Sequence, residues 1–194
     1  MGNTGIEKKK TLDTRSLLLC PLFAALIAVG AFIRIPVPYV PFTLQILFTT
    51  MAGLFLGSKR GFIAVALYLS LGLSGLPVFA AGGGIGYVLM PSFGYLIGMA
   101  IGAWVTGLIT EKGQQTFSLF LIAGLVHVAI VHIFGMAYFY FLATFYLNRS
   151  IGFGALLVNF SLVFLPGDVL SCTVSALLAK KLRPLRRRLA AGNF

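Results

Sequence analysis

Six apolar stretches, roughly residues 16–35, 41–57, 61–76, 92–110, 117–143 and 161–180, fill most of this chain, parted only by short polar or Gly/Pro-rich seams. A hydrocarbon slab takes about 20 residues per crossing helix, so six crossings use roughly 120 residues of the 194. What is left suffices for loops and tails but not for a second large domain. Only 10% of the residues are charged, against about 25% in a soluble domain. The expected fold class is therefore an all-α integral membrane protein of six transmembrane helices.

The charges fix the expected orientation. Lys8, Lys9, Lys10, Arg15, Lys59, Arg60, Lys112, Lys180, Lys181, Arg183, Arg186, Arg187 and Arg188 share one side when the N-terminus is inside, which leaves Arg34 and Arg149 outside. Lys and Arg near helix ends resist translocation, so both termini are expected in the cytoplasm. The division that follows is a basic cytoplasmic tail at 1–15, a membrane domain at 16–182 and a second basic tail at 183–194. A formal charge of +11 would suggest nucleic acid in a soluble chain. Here the Lys180–Arg188 run directly follows an apolar span, and anionic lipid is the expected contact, with no nucleic-acid partner. The apolar run from Leu17 to Ile33 is longer than the roughly 7–15 residues of a signal-peptide core, so it reads as a retained helix. Cys20 and Cys172 lack C-x-x-C spacing and read as small buried hydrophobes.

Helices in lipid associate by close approach at small residues. Gly53 and Gly57 on the second span, and Gly94, Gly98 and Gly102 on the fourth, read as internal packing positions. Ala24 and Ala28 form a small-residue stripe on the first helix, suited either to internal packing or to a separate membrane subunit. Ser58-Lys59-Arg60-Gly61 reads as the seam of a tight helical hairpin.

Chemistry is sparse. Asp168 is the one acidic residue within a span, and intramembrane carboxylates face cavities or partners because burying them costs several kcal/mol. It follows Phe164-Leu165-Pro166-Gly167, so it reads either as a ligand contact or as a helix-start aspartate held by backbone amides. His127 and His132, five apart, turn about 140° from each other on a helix; a shared metal is not expected and both read as polar packing. There is no nucleophile with its base, no G-x-x-x-x-G-K-[ST] phosphate loop and no line of acidic relay residues. The expectation is a protein that is not an enzyme, carries no cofactor or metal, and takes any ATP-driven work from partners.

Two irregular segments lie on the outer side. Residues 72–94 read GLSGLPVFAAGGGIGYVLMPSFG, too apolar for a solvent loop. Gly83 and Gly84 within the glycine run permit close approach to a ligand, and Phe79, Tyr87, Phe93 and Tyr95 supply flat walls, so the segment reads as a lid over a pocket, or as a linker tucked against the bundle. In the second, Pro36, Pro38 and Pro41 stiffen the entry to the second span and fix where Thr43 and Gln45 point. Those two groups suit a neutral polar headgroup, and helix capping is the other role open to Thr43.

Pro41-Phe42-Thr43-Leu44-Gln45, Gly75-Leu76-Pro77-Val78-Phe79-Ala80 running into Gly82-Gly83-Gly84, Pro91 with Gly94-Tyr95-Leu96, and Leu165-Pro166-Gly167-Asp168 resemble the BioY family. Its members are the biotin-binding S components of energy-coupling factor (ECF) transporters, and the likeness spans residues 16–182. The resemblance implies a six-helix S component in a bacterial cytoplasmic membrane. It implies a transmembrane coupling protein and two ATPase subunits as partners, with the Ala24/Ala28 stripe as the docking face. For a ligand such as biotin, Asp168 is expected to accept from N–H groups, Thr43, Gln45 and Ser171 to tune headgroup recognition, Tyr87 and Tyr95 to wall the ring and tail, and Gly83 and Gly84 to lie at the substrate site. In the family the aspartate is followed three positions later by a lysine that also contacts ligand; here that position is Ser171. The implied ligand is biotin, or a related small acid such as desthiobiotin or lipoate. The other function classes considered are a stand-alone secondary carrier and a membrane adaptor that binds no small molecule.

Overall fold

With no water to pair backbone groups, apolar runs in lipid satisfy their amides internally as helices, and the long apolar runs here do so. The computed structural model describes residues 14–35, 40–146, 152–182 and 184. Lys8–Lys10, Pro36 and Pro38, Arg149, Arg183 and the arginines 186–188 lie outside the described residues.

The helices are α1 (Thr14–Phe32), α2 (Gln45–Leu56), α3 (Ser58–Leu73), α4 (Phe93–Lys112), α5 (Phe117–Phe141), the short α6 (Phe153–Leu157) and α7 (Leu165–Lys181). One-turn π segments extend α5 over Leu142–Tyr146 and follow α6 over Val158–Leu162. β1 (Arg34–Ile35) and β2 (Phe42–Thr43) pair antiparallel, Arg34 opposite Thr43. Phe93–Lys112 and the Phe117–Tyr146 run have the length and apolarity to cross a membrane on those grounds alone. α2, at 12 residues, is about 18 Å long, shorter than a hydrocarbon core of about 30 Å. The outer surface is apolar: Leu18 is 69% exposed, Leu170 64% and Ile133 60%, as suits a protein whose solvent is lipid.

The α2–α3 turn is tighter than the sequence suggests. It collapses onto Gly57 (φ 83°), and Ser58, Lys59 and Arg60 form the first turn of α3. That start is capped from another helix, because Glu111 of α4 accepts from the Ser58 backbone N–H at 2.7 Å and from its hydroxyl at 3.0 Å. A carboxylate there also meets the positive end of the α3 dipole.

Glycines bring the helices together. A Cβ on Gly53 would lie 2.5 Å from the Ala103 carbonyl oxygen, on Gly98 2.8 Å from the Val131 Cα, and on Gly102 2.7 Å from Nδ1 of His127. α2 thus packs on α4, and α4 on α5, at distances only glycine allows. Cys20 and Cys172 are both buried.

The Ala24/Ala28 stripe turns inward. Ala24 is 2% exposed within the main core, and Ala28 packs partly buried against the same cluster. The exposed face of α1 carries Leu18, Leu22, Val29 and Phe32.

The bundle has two unlike ends. At one lie the α2–α3 turn, the end of α4 and the end of α7, with Lys59, Arg60, Lys112, Lys180 and Lys181. At the other, the starts of α2, α4 and α7 meet the second half of α5 and the segment that follows α3.

Candidate functional site

At that second end a cleft of about 490 Å³, counting the space open at its mouth, is lined by residues from six parts of the chain. The part of it that the centre of a water molecule can reach is about 40 Å³, well below the roughly 300–1,000 Å³ of small-molecule sites, so the cleft is nearly closed. Val40, Pro41, Phe42 and Thr43 come from the entry to α2, Gln45 and Ile46 from α2, Ala80, Tyr87 and Ser92 from the segment after α3, Tyr95, Leu96 and Met99 from α4, His132 from α5, and Phe164 and Asp168 from the start of α7.

Its walls are seated by packing. Phe79, 1% exposed, sits edge-on to Tyr68 (5.4 Å between centroids) and against Tyr87 (4.5 Å). The segment after α3 is therefore anchored in the core through Phe79, while its Ala80, Tyr87 and Ser92 line the cleft. Tyr87 is further held by the Ser92 hydroxyl, which donates to its oxygen at 3.1 Å. Tyr95 lies over Gly135 of α5, where a Cβ would come within 2.5 Å of its ring. Phe42 stacks on Phe164 at 6.4 Å and covers Gly167 in the first turn of α7.

Two polar groups face each other across this apolar space. On the α2 side, the Thr43 hydroxyl donates to Gln45 Oε1 (2.9 Å), Gln45 Nε2 donates to the Tyr68 hydroxyl (2.9 Å), and Tyr68 donates to the Val78 carbonyl (3.1 Å). Because the Tyr68 proton is committed to a carbonyl, its oxygen must accept, and that fixes which end of the Gln45 amide is nitrogen. One N–H of Gln45 remains uncommitted in this relay. On the α7 side, Asp168, 1% exposed, meets Nε2 of His132 through Oδ2 at 2.8 Å. Together they offer a donor and an acceptor.

Of the residues singled out in the sequence, Thr43, Gln45, Tyr87, Tyr95 and Asp168 converge on the cleft. Gly83 and Gly84 do not line it. Gly83 closes onto the Leu76 carbonyl, and Gly84 (φ 98°) donates its N–H to Gly72 at 2.7 Å, so this part of the glycine run shapes the loop while Ala80 and Tyr87 face the space. Ser171 is buried one turn beyond Asp168, at 5% exposure, outside the lining. Arg34, opposite Thr43 in the β pair, is exposed. His127 belongs elsewhere, bonding Thr49 at 3.0 Å in the core.

His132 is the residue that sequence reading assigned to plain packing. Depth arithmetic contains the missing signal. His132 lies 15 residues into α5 and Asp168 13 residues before the end of α7, which is about 22 and 20 Å from the basic end. Two polar groups at matched depth on neighbouring helices are partners in a medium that offers no other.

A sequence model of the BioY family matches residues 7–188. A probable biotin transporter BioY of Lysinibacillus sphaericus is 43% identical over 181 residues, 89% of either chain. The biotin transporter BioY of Thermotoga maritima is 39% identical, covering 88% of this chain and 97% of that one. Among solved structures, the S-component for biotin from an ECF-type ABC transporter superposes with a TM-score of 0.75 at 30% identity, over 88% of this chain and 92% of its own.

Proposed function

The chain belongs to the BioY family, and on that premise we propose that it is the biotin-binding S component of an ECF-type transporter, a transport subunit and not an enzyme. It takes biotin at the cleft and relies on an ECF coupling protein and ATPase subunits for energy. The observation that carries the reading is the pairing of Asp168 and Gln45 across an aromatic cleft. A cyclic urea has N–H donors and a carbonyl acceptor. Asp168 accepts from a ureido N–H, Gln45 donates to the carbonyl, and Tyr87 and Tyr95 wall the ring and tail. Thr43 holds the Gln45 amide in the required sense, and Ser171 backs the first turns of α7.

In the membrane, six crossings with both termini in the cytoplasm are supported by the gathering of Lys59, Arg60, Lys112, Lys180 and Lys181 at one end of the bundle. The cleft, at the opposite end, then opens outward in a multi-pass protein of the cytoplasmic membrane.

Calorimetry on the purified protein in detergent tests the ligand. Biotin and desthiobiotin, which both carry the ureido group, are expected to bind, and lipoate, which lacks it, is expected to bind at least about tenfold more weakly, the worth of one good hydrogen bond. Failure to bind biotin overturns the reading. Uptake of labelled biotin by cells with and without the coupling module tests the dependence on partners: uptake is expected to be lost without the module, and full uptake without it would make the chain a stand-alone carrier.

A further inference from the structure

Asp168 is held from another helix, and the holding group itself faces the cleft. We propose that His132 is a positioning residue that sets ligand specificity: its Nε2 occupies Asp168 Oδ2, which leaves Oδ1 as the acceptor for the ligand. This rests on the reading of the cleft as the biotin site.

Three observations lead to it. The pair spans 36 residues of sequence and joins α5 to α7 at 2.8 Å, with both members buried and both lining the cleft. The imidazole cannot swing away, because Tyr95 stands edge-on to it at 5.9 Å and Phe164 stacks on it at 6.5 Å. Tyr95 is in turn seated on Gly135, one turn along α5 from His132. A fixed donor therefore meets a carboxylate that would otherwise rotate about its last torsion and offer either oxygen.

The chemical consequence is selective. When the carboxylate is ionised it only accepts, and the proton of the pair is then on His132 Nε2. With Oδ2 engaged, Oδ1 keeps both of its lone pairs, and a ligand meets it with an N–H. Among the described residues no Lys or Arg lines the cleft, so within it the groups that meet a ligand are Asp168 and neutral side chains. His132 thus sharpens the preference for a ring bearing N–H groups without contributing the contact itself.

The experiment is a coupling measurement by calorimetry on the full chain in detergent, with biotin as probe. His132→Leu should raise Kd by about 10–100-fold, the worth of one hydrogen bond to a charged group. His132→Gln, whose amide N–H reaches the same carboxylate, should restore affinity to within about fivefold of the parent protein. In an Asp168→Asn background, His132→Leu should change Kd by less than about threefold, because the oxygen it positions no longer carries charge. A histidine that merely fills space would produce the same loss in both backgrounds and no rescue by Gln, and either result overturns the proposal. Unchanged affinity of His132→Leu in a parent protein that binds biotin overturns it too, and leaves the functional reading standing. Absence of biotin binding by the parent protein overturns that reading, and the proposal with it.

Discussion

The two ends of this bundle satisfy their polar atoms in opposite ways. At the basic end, apart from Ser58 on Glu111, hydroxyls bond to helix backbone: Thr110 to Thr106, Ser175 to Ser171, and Thr106 to the Ala123 carbonyl across the α4–α5 contact. The glycines there bring backbones into contact. At the cleft end, polar side chains bond mostly to one another, Thr43 with Gln45, Gln45 with Tyr68, His132 with Asp168 and Ser92 with Tyr87. Aromatic rings hold the elements apart. Lipid supplies no hydrophobic drive between helices, so close approach at one end carries the stability that the other end gives up to form a cavity. The comparison predicts that substitutions at the cleft alter affinity more than stability, and that those at the basic end do the reverse.

The largest expected effect tests the cleft. Asp168→Asn removes the charge that accepts from the ureido group, a loss of about 2–3 kcal/mol, or roughly 30–150-fold in Kd. The asparagine still fits and can still meet His132, so the thermal midpoint should move little. A midpoint that collapses while Kd in the surviving protein is unchanged would make Asp168 a structural residue and erase the contrast between the ends.

Gly53→Val is the counterpart at the packed end. Its side chain has to displace the Ala103 carbonyl or Thr106, neither of which is the far end of a flexible chain. Overpacking of this kind costs about 1–3 kcal/mol. A clearly lowered thermal midpoint with unchanged biotin affinity in the folded fraction is expected. A midpoint equal to the parent's would show that α2 and α4 are free to separate.

How much of this was readable in advance follows the same division. Helix positions were legible because lipid forces long apolar runs to be helical, and α1 to α5 fall within a few residues of the expected spans. Gly53, Gly98 and Gly102 were legible as packing positions because small residues in lipid have few other uses. What escaped was set by tertiary contact. The sequence of Gly57-Ser58 does not reveal that Glu111, more than fifty positions away, caps α3. Nor does a small-residue stripe say which neighbour it meets: Ala24 suited internal packing or a separate subunit equally, and it lies in the core. At the cleft, Asp168, Gln45 and the tyrosines were found through residue chemistry. His132 was passed over because it was judged against His127, its neighbour in sequence, when its partner was the carboxylate at equal depth on another helix.

Glu111→Ala probes that hidden cap. The Ser58 N–H and hydroxyl lose their acceptor, and the start of α3 loses a favourable charge, together about 1 kcal/mol. A drop in thermal midpoint of a few degrees is expected, smaller than for Gly53→Val, with biotin affinity unaltered. A loss of affinity instead would mean that strain at the basic end reaches the cleft through α3 or α4, and the two ends could no longer be treated as independent.

Thr43→Val makes the smallest change and asks the finest question. The substitution keeps the side-chain shape and removes only the hydroxyl that donates to Gln45 Oε1. Tyr68 still accepts from Gln45 Nε2, so the amide keeps one of its two restraints. The loss should be that of one neutral hydrogen bond, about 0.5–1.5 kcal/mol, or roughly a threefold to tenfold rise in Kd. The thermal midpoint should stay within a degree or two, because Thr43 caps no helix: the residue before α2 is Leu44, and no side chain caps it. If the midpoint falls and Kd does not, Thr43 acts through the β1–β2 pair that carries it and not through Gln45. If Kd rises alone, the relay from Thr43 to Tyr68 is part of recognition, and the cleft end differs from the packed end down to its single hydroxyls.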